Sequence, residues 1–263
     1  MTFKPITTLL RPDFNEAEHS YTFDDVALPG ASRLMELIGV KEPFDRTFWR
    51  QSLMRKGKTL EEAEAFMDQR GQQGADRGKK VHAFIEATIK EQSPKPEDFI
   101  PDHLDSIDGY LNGFYEFADQ YGLSTALLIE EPLVHPICFY CGTVDCLAWT
   151  DSGLTIIDWK TTESIKKYKK SQWQLYQQVL YAAAINRCYV MDQPVIKGMS
   201  VTMAADGWQL QPWEPEDFKS AWAELKERIY EFWAEQQEEG QMSQWPGVAL
   251  KARKAMDDAW GKA

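Results

Sequence analysis

The stretch that most constrains this chain runs from Gly142 to Lys160, Gly-Thr-Val-Asp-Cys-Leu-Ala-Trp-Thr-Asp-Ser-Gly-Leu-Thr-Ile-Ile-Asp-Trp-Lys. Two apolar, β-prone runs flank the turn signal Asp151-Ser152-Gly153, which predicts a β-hairpin. With a two-residue loop at Asp151 and Ser152, Thr150 faces Gly153, and counting back along both strands sets Asp145 opposite Asp158. Their side chains then share one face, with β-carbons about 5 Å apart. Like charges placed so destabilise a sheet, and a divalent cation held by both carboxylates offsets the repulsion. Lys160, two residues beyond Asp158, projects from the same face. Its ammonium there can neutralise a ligand carboxylate or orient a water.

The rest of the 263 residues suits one core domain with helical additions. Ser32 predicts the cap of a short helix through Ile38, ended by Gly39, after an irregular, proline-punctuated segment 1–30. Residues 46–70 read as helical, and a further helix is expected from Gly74 to Lys90. Pro101 is expected to open another, reaching Tyr121. Three strands follow, at Leu127–Val134, Phe139–Trp149 and Leu154–Trp159, then a helix from Gln172 to Asn186. Two more strands, Val195–Met203 and Trp208–Trp213, precede an amphipathic helix opened by Pro215. Phe218, Trp222, Leu225, Ile229 and Trp233 recur along that helix at core spacing. This order predicts an α/β or α+β core: a central mixed sheet flanked by helices, with a helical N-terminal addition. The expected divisions are an addition over 1–73, a core over 74–240 and a C-terminal tail helix over 241–263.

Gly74, Gly78, His82 and Glu86 recur every four residues and so line one helix stripe. The glycines leave that stripe open to a strand or a phosphate. His82 reads either as a metal ligand or as a satisfied core histidine. Cys138 and Cys141 form a lone C-x-x-C with no second pair at zinc-finger spacing, so Cys138, Cys141, Cys146 and Cys188 read as ordinary reduced thiols. The net charge of -12 argues against broad, nonspecific coating of nucleic acid. The charge is uneven, however: nine acids against three bases lie between Glu214 and Glu239, while Lys166, Lys167, Lys169 and Lys170 form a basic run around Tyr168, and Arg77, Lys79 and Lys80 a second cluster. Either basic cluster reads as a solvated face or as a grip on a phosphate backbone. Tyr168 and Trp173 read equally as base-stacking platforms or as packing. No segment reaches the roughly 18 apolar residues of a membrane span. The first residues lack the apolar run of a signal peptide, so no membrane partner and a cytoplasmic setting are expected.

Taken together, Arg77-Gly-x-x-x-His82, Glu131, Gly142-x-x-Asp145, Asp158-Trp-Lys160 and Gln177-x-x-x-Tyr181 resemble the PD-(D/E)XK nuclease superfamily, and within it the RecB-like exonuclease branch. Gly-x-x-Asp-Cys-x-Ala followed by Ile-Asp-Trp-Lys-Thr is most similar to the mitochondrial genome maintenance exonuclease family and its phage relatives. The resemblance covers roughly residues 74–235. It implies a restriction-endonuclease-like core and a DNA exonuclease that uses Mg²⁺ or Mn²⁺. Asp145 and Asp158 would bind the metal with His82 and the main-chain carbonyl of Trp159. Lys160 would assist the attacking water. Glu131 would be an accessory acid, with its neighbour Glu130 as the alternative. Gln177 and Tyr181 would hold the DNA, helped by Arg77, Lys79 and the basic run. Some relatives carry a four-cysteine iron–sulfur cluster; the cysteine placement here does not match it, and none is expected. The implied partners are single-stranded DNA or DNA ends, with a recombination or single-strand-binding protein alongside. The implied setting is recombination, repair or replication in a bacterial or phage-infected cell. A structure-specific endonuclease and a non-catalytic DNA-binding subunit on the same fold are the competing readings.

Overall fold

Thr150 pairs with Gly153 across the Asp151–Ser152 loop, and the antiparallel ladder keeps that register back to Cys146 opposite Ile157. Gly153 takes φ +102°, a conformation that a side chain would strain, which is why the turn needs glycine there. The computed structural model describes residues 2–238 apart from 7–9, 16, 19 and 44. The elements are, in order, β1 (Phe3–Pro5), β2 (Asp13–Asn15), β3 (Ser20–Phe23), β4 (Val26–Leu28), α1 (Ala31–Leu37), α2 (Thr47–Arg55), α3 (Leu60–Ile89), α4 (Asp108–Gln120), β5 (Ala126–His135), β6 (Tyr140–Thr150), β7 (Gly153–Thr161), α5 (Gln172–Cys188), β8 (Tyr189–Met191), β9 (Gly198–Ala204), β10 (Gly207–Trp213) and α6 (Pro215–Glu238).

The central sheet has five strands in the order β10-β9-β7-β6-β5. All its pairings are antiparallel except β7 with β9, which α5 joins as a crossover. Both faces are covered, so the strands read as nearly continuous apolar runs rather than alternating ones. Leu147, Leu154 and Ile156 pack with α1, α5 and α6 on one face. Cys146, Ala148, Ile157 and Trp159 pack with α3 and α4 on the other. The core stripe of α6 is buried as its spacing predicts, at Phe218, Leu225 and Ile229. The mixed α/β architecture expected from the element order is therefore present.

Three local expectations need correction. Segment 1–30 is not irregular: β2, β3 and β4 form a three-stranded meander, and β1 pairs with β8. Phe23 and Val26 close a two-residue turn at Asp24 and Asp25, both left-handed at φ 54° and 65°. Aspartate tolerates that region better than most residues, so the pair fits a hairpin turn of the primed type. The two helices expected around residues 46–70 and 74–90 are redistributed into α2 and a single 30-residue α3. Thr59 and Glu62 form a full capping box at its start, and the helix runs through Gly71, Gly74 and Gly78. The position where the core was expected to begin thus falls inside α3. Pro101 opens a turn rather than a helix, with Leu104 N–H donating to its carbonyl, and α4 starts only at Asp108, whose N–H is taken by Ser106 Oγ at 3.0 Å. The tail helix expected over 241–263 lies outside the described residues.

Candidate active site

Three acids lie on three adjacent strands. Ile129 opposite Cys146 and Glu131 opposite Val144 bracket Glu130 and Asp145, and the β6–β7 register continues from Cys146–Ile157 toward Asp145 and Asp158. The regular ladder stops just short of Asp158. Instead, the Asp145 carboxylate enters the opening and accepts the Trp159 N–H at 2.8 Å. Glu130 sits at φ +47°, a left-handed conformation that is costly for a residue with a side chain. That kink accompanies the omission of Glu130 from the paired residues of β5.

His82, on the inner half of α3, bridges the two first acids. Its Nδ1 lies 3.2 Å from Glu130 Oε1 and 3.9 Å from Asp145 Oδ2, and its Nε2 lies 2.9 Å from the Trp159 carbonyl. Hydrogen-bonding to that carbonyl places a proton on Nε2, leaving Nδ1 as the atom that meets the carboxylates. The ligand atoms of His82, Glu130 and Asp145 all lie within 4.8 Å of one another, a grouping able to hold a metal ion. A donated Nε2–H fixing a ring whose other nitrogen faces an ion is how metal-binding histidines are oriented.

Asp158 is only 1% exposed. Its Oδ1 accepts from Lys160 Nζ at 2.6 Å, while Oδ2 is buried with no partner among the described residues. A buried carboxylate oxygen without a donor is costly, and a cation is the kind of group that satisfies it. Trp159, between Asp158 and Lys160, points the other way: its ring meets Phe114 at 5.7 Å and Phe117 at 5.5 Å, edge to face. The period of two then forces Asp158 and Lys160 to the opposite face.

The charges are mutually dependent. Burial raises the Asp158 pKa to about 6, although Lys160 pulls it down. Burial likewise raises Asp145, against the pull of His82 and Lys160. Burial alone would lower His82, but Asp145 and Glu130 outweigh it and lift the imidazole to about 9. Lys160 is also raised, because Asp158 and Asp145 outweigh its desolvation. The protein itself thus supplies two cations, His82 and Lys160, against three carboxylates.

Gln177 and Tyr181 come from α5. Gln177 Nε2 donates to Tyr181 Oη at 2.8 Å, and Gln177 Oε1 is buried with no partner among the described residues. Burial, with Asp145 and Asp158 nearby, raises the Tyr181 phenol well above its ordinary value. Its ring lies so close to β6 that a Cβ on Gly142 would come within 2.5 Å of it, which explains the glycine three residues before Asp145. Gly78 is less demanding: a Cβ there would meet Thr161 of β7 at an ordinary 3.6 Å. A second pair at the same spacing on α5, Gln174 and Gln178, is buried in structural bonds, Gln174 accepting from Tyr168 and Gln178 donating to Ser200.

Other expected residues fall elsewhere. Glu131 is not beside His82. It pairs with Arg11 at 3.4 Å, and the β5–β6 register sets its neighbour Glu130, rather than Glu131, opposite Asp145 and within reach of His82. The Trp159 carbonyl, expected as a ligand, is engaged by His82. Arg77 is 7% exposed, its guanidinium 5.9 Å from the Tyr110 ring and its Nε without a partner among the described residues, rather than lying on an open DNA surface. Lys79, Lys166, Lys167, Lys169 and Lys170 are exposed. The loop bearing the last four is tied down by Asp206, which accepts from Ser164 Oγ and Ile165 N–H. Trp173 packs against the core with Lys41 and Lys160 over its ring. The four cysteines are buried free thiols; burial pushes Cys138 and Cys188 up to about 12.

The sequence reading missed Tyr21. Its hydroxyl lies 3.0 Å from Thr143 Oγ1, and its ionisation is opposed by burial and by Glu130 and Asp145. The signal was the apolar alternation of Tyr21, Phe23, Val26 and Leu28 around the Asp-Asp turn.

The two neighbouring acids give a direct test. Glu130→Gln is expected to weaken Mn²⁺ binding by about 10–100-fold, as loss of a group in or beside a metal shell does. Glu131→Gln is expected to leave it within about twofold, since exposed ion pairs contribute little. Calorimetric titration of both variants checks this, and equal losses would restore the original assignment.

No helix among the described residues is long and apolar enough to cross a membrane. No family model matches the chain. Over 139 residues, 52% of this chain and 38% of the relative, it is 25% identical to human mitochondrial genome maintenance exonuclease 1, a distant likeness to an exonuclease.

Proposed function

We propose that the protein is a divalent-metal-dependent DNA exonuclease of the PD-(D/E)XK type, using Mg²⁺ or Mn²⁺. The observation that carries the reading is the meeting of Glu130, Asp145 and His82 beside a buried Asp158 whose Oδ2 lacks a partner among the described residues and whose Oδ1 is held by Lys160. Hard oxygen donors with one imidazole suit such an ion. When bound, it would polarise a phosphoryl oxygen and lower the pKa of a water. Glu130, Asp145, Asp158 and His82 would hold it. Lys160 would keep Asp158 ionised and place positive charge where the phosphate gains negative charge. Gln177 and Tyr181, already bonded to each other, would hold the strand, and Lys166, Lys167, Lys169 and Lys170 would grip its backbone beyond them.

Exonuclease rather than endonuclease activity rests on the resemblance of the motif set and on the similarity to an exonuclease over about half the chain. The same support suggests work at DNA ends in recombination, repair or replication, including in a phage. The test is digestion of end-labelled linear DNA and of closed circular DNA, with Mg²⁺ or Mn²⁺ and with chelator. Linear DNA should be degraded and the circle spared. Equal cutting of the circle would make the protein an endonuclease, and no metal-stimulated cutting of either would favour a non-catalytic DNA-binding subunit.

A further inference from the structure

A second concavity lies between the C-terminal half of α5 and the N-terminal half of α6, and none of its lining residues belongs to the candidate active site. It is an open cleft of about 690 Å³. Phe218 and Trp222 of α6 form its apolar wall, and Ile196, 46% exposed, extends that surface. The neighbouring segment is fixed rather than loose: Asn186 bonds both the N–H and the carbonyl of Val195, each at 2.8 Å.

The charged residues lining the cleft, Arg187 and Lys219, share one sign. His135 lines it and is 3% exposed, stacked on Tyr140 and tilted against Trp222. Its Nδ1 accepts the Cys138 N–H at 3.0 Å. Burial, reinforced by Arg187, lowers its pKa to about 3, so the ring is neutral and its proton sits on Nε2. That N–H has no acceptor among the described residues. Arg187 and Lys219, both exposed, stand at the rim, and neither has an ion-pair partner among the described residues. A donor open to the cleft with no acceptor among the described residues, two cations with no ion-pair partner among them, and an aromatic wall ask for one kind of occupant. It carries carboxylates beside bulky apolar side chains. The two charged lining residues are both cations, although exposed Glu216 and Asp217 lie beside them at the start of α6.

We propose that this cleft docks an acidic–apolar peptide segment of a partner protein, its apolar side chains against Phe218 and Trp222 and its carboxylates on Arg187, Lys219 and the His135 Nε2–H. An apolar centre ringed by polar groups is the anatomy of a recognition site, and basic clusters select acidic motifs. An open cleft between two helices admits a chain passing through it.

The test uses the full chain and a fluorescein-labelled eight-residue peptide with two aspartates on each side of a Phe-Leu pair, read by fluorescence anisotropy. The peptide should bind, and its counterpart with lysines for the aspartates should bind at least tenfold more weakly. The double variant Arg187→Glu/Lys219→Glu should also lose at least tenfold, with melting temperature and DNA cleavage unchanged. Trp222→Ala should lose as much; because Trp222 also packs on His135, the surface double variant decides if Trp222→Ala fails to fold. Equal binding of the acidic and lysine peptides, or full binding by the double variant, would overturn the proposal. So would phenylacetate binding as tightly as the peptide, which would mark a small-molecule site instead.

Discussion

Replacing Asp158 by asparagine is expected to leave a folded protein that cleaves DNA at least about a thousandfold more slowly, since losing an ion's contribution of several kcal/mol costs a factor of ten for each 1.4 kcal/mol. The fold should survive because the carboxylate is no asset to it without a cation. It is buried, its Oδ2 has no partner among the described residues, and burial has raised its pKa to about 6. Asparagine keeps the shape while removing a charge that Asp145 opposes. Lys160 loses its partner but retains some exposure, so its ammonium can turn to solvent. Release of end label in the presence of Mn²⁺, with circular dichroism on the same sample, checks both halves. A folded variant with wild-type turnover would remove Asp158 from the active site.

The second large effect concerns the ion itself. A ligand that binds only the folded state at a hundred times its Kd stabilises by about 2.7 kcal/mol. For a chain of this size that corresponds to a Tm rise of about 5–10 °C. The rise should depend steeply on pH. The pKa of Asp158 is raised in the folded protein, so its contribution to metal-free stability is complete below its ordinary value of 3.8 and is lost as pH rises through about 6. His82 behaves alike, its contribution complete below 6.5 and lost as pH rises through about 9. The metal-free protein therefore weakens across the range in which both groups become competent ligands. Binding at pH 7 must displace protons. Stabilisation by Mn²⁺ should be small at pH 5 and grow toward pH 9. Thermal melts at pH 5, 7 and 9, and calorimetry in two buffers of different ionisation enthalpy, measure it. A rise independent of pH, with no proton release, would mean that these groups do not hold the ion.

What the sequence reveals and what it hides divide along physical lines. The Asp-Ser-Gly turn and two apolar runs leave one sensible register, so the hairpin that sets Asp145 near Asp158 is legible. The grouping is not wholly so. Two opposed acids were expected to share an ion, whereas the closest ligand atoms are those of His82, Glu130 and Asp145, with Asp158 held by Lys160. The cause is the gap into which Asp145 turns to take the Trp159 N–H, which strand alternation alone does not foretell. The choice between Glu130 and Glu131 turns on the β5–β6 register, which no Asp-Ser-Gly-like turn announces in the sequence and which sets Glu130 opposite Asp145. Three glycines made α3 look broken. Each costs about 1 kcal/mol relative to alanine in a helix interior. The capping box at its start and the buried face of Val81, Phe84 and Ile85 offset that. The N-terminal meander was hidden because strands of three or four residues leave little periodicity to read, and Tyr21 was hidden with it.

The indole of Trp159 ties chemistry to architecture. It is fully enclosed by α4 aromatics while its own backbone N–H and carbonyl are claimed by Asp145 and His82. A shift in that oily layer would therefore re-aim four polar groups at once, two through the peptide and two through the flanking residues. The solvent-free side of the sheet works as the mount on which the reactive side is aligned, and loosening the mount would blur the alignment before the molecule came apart.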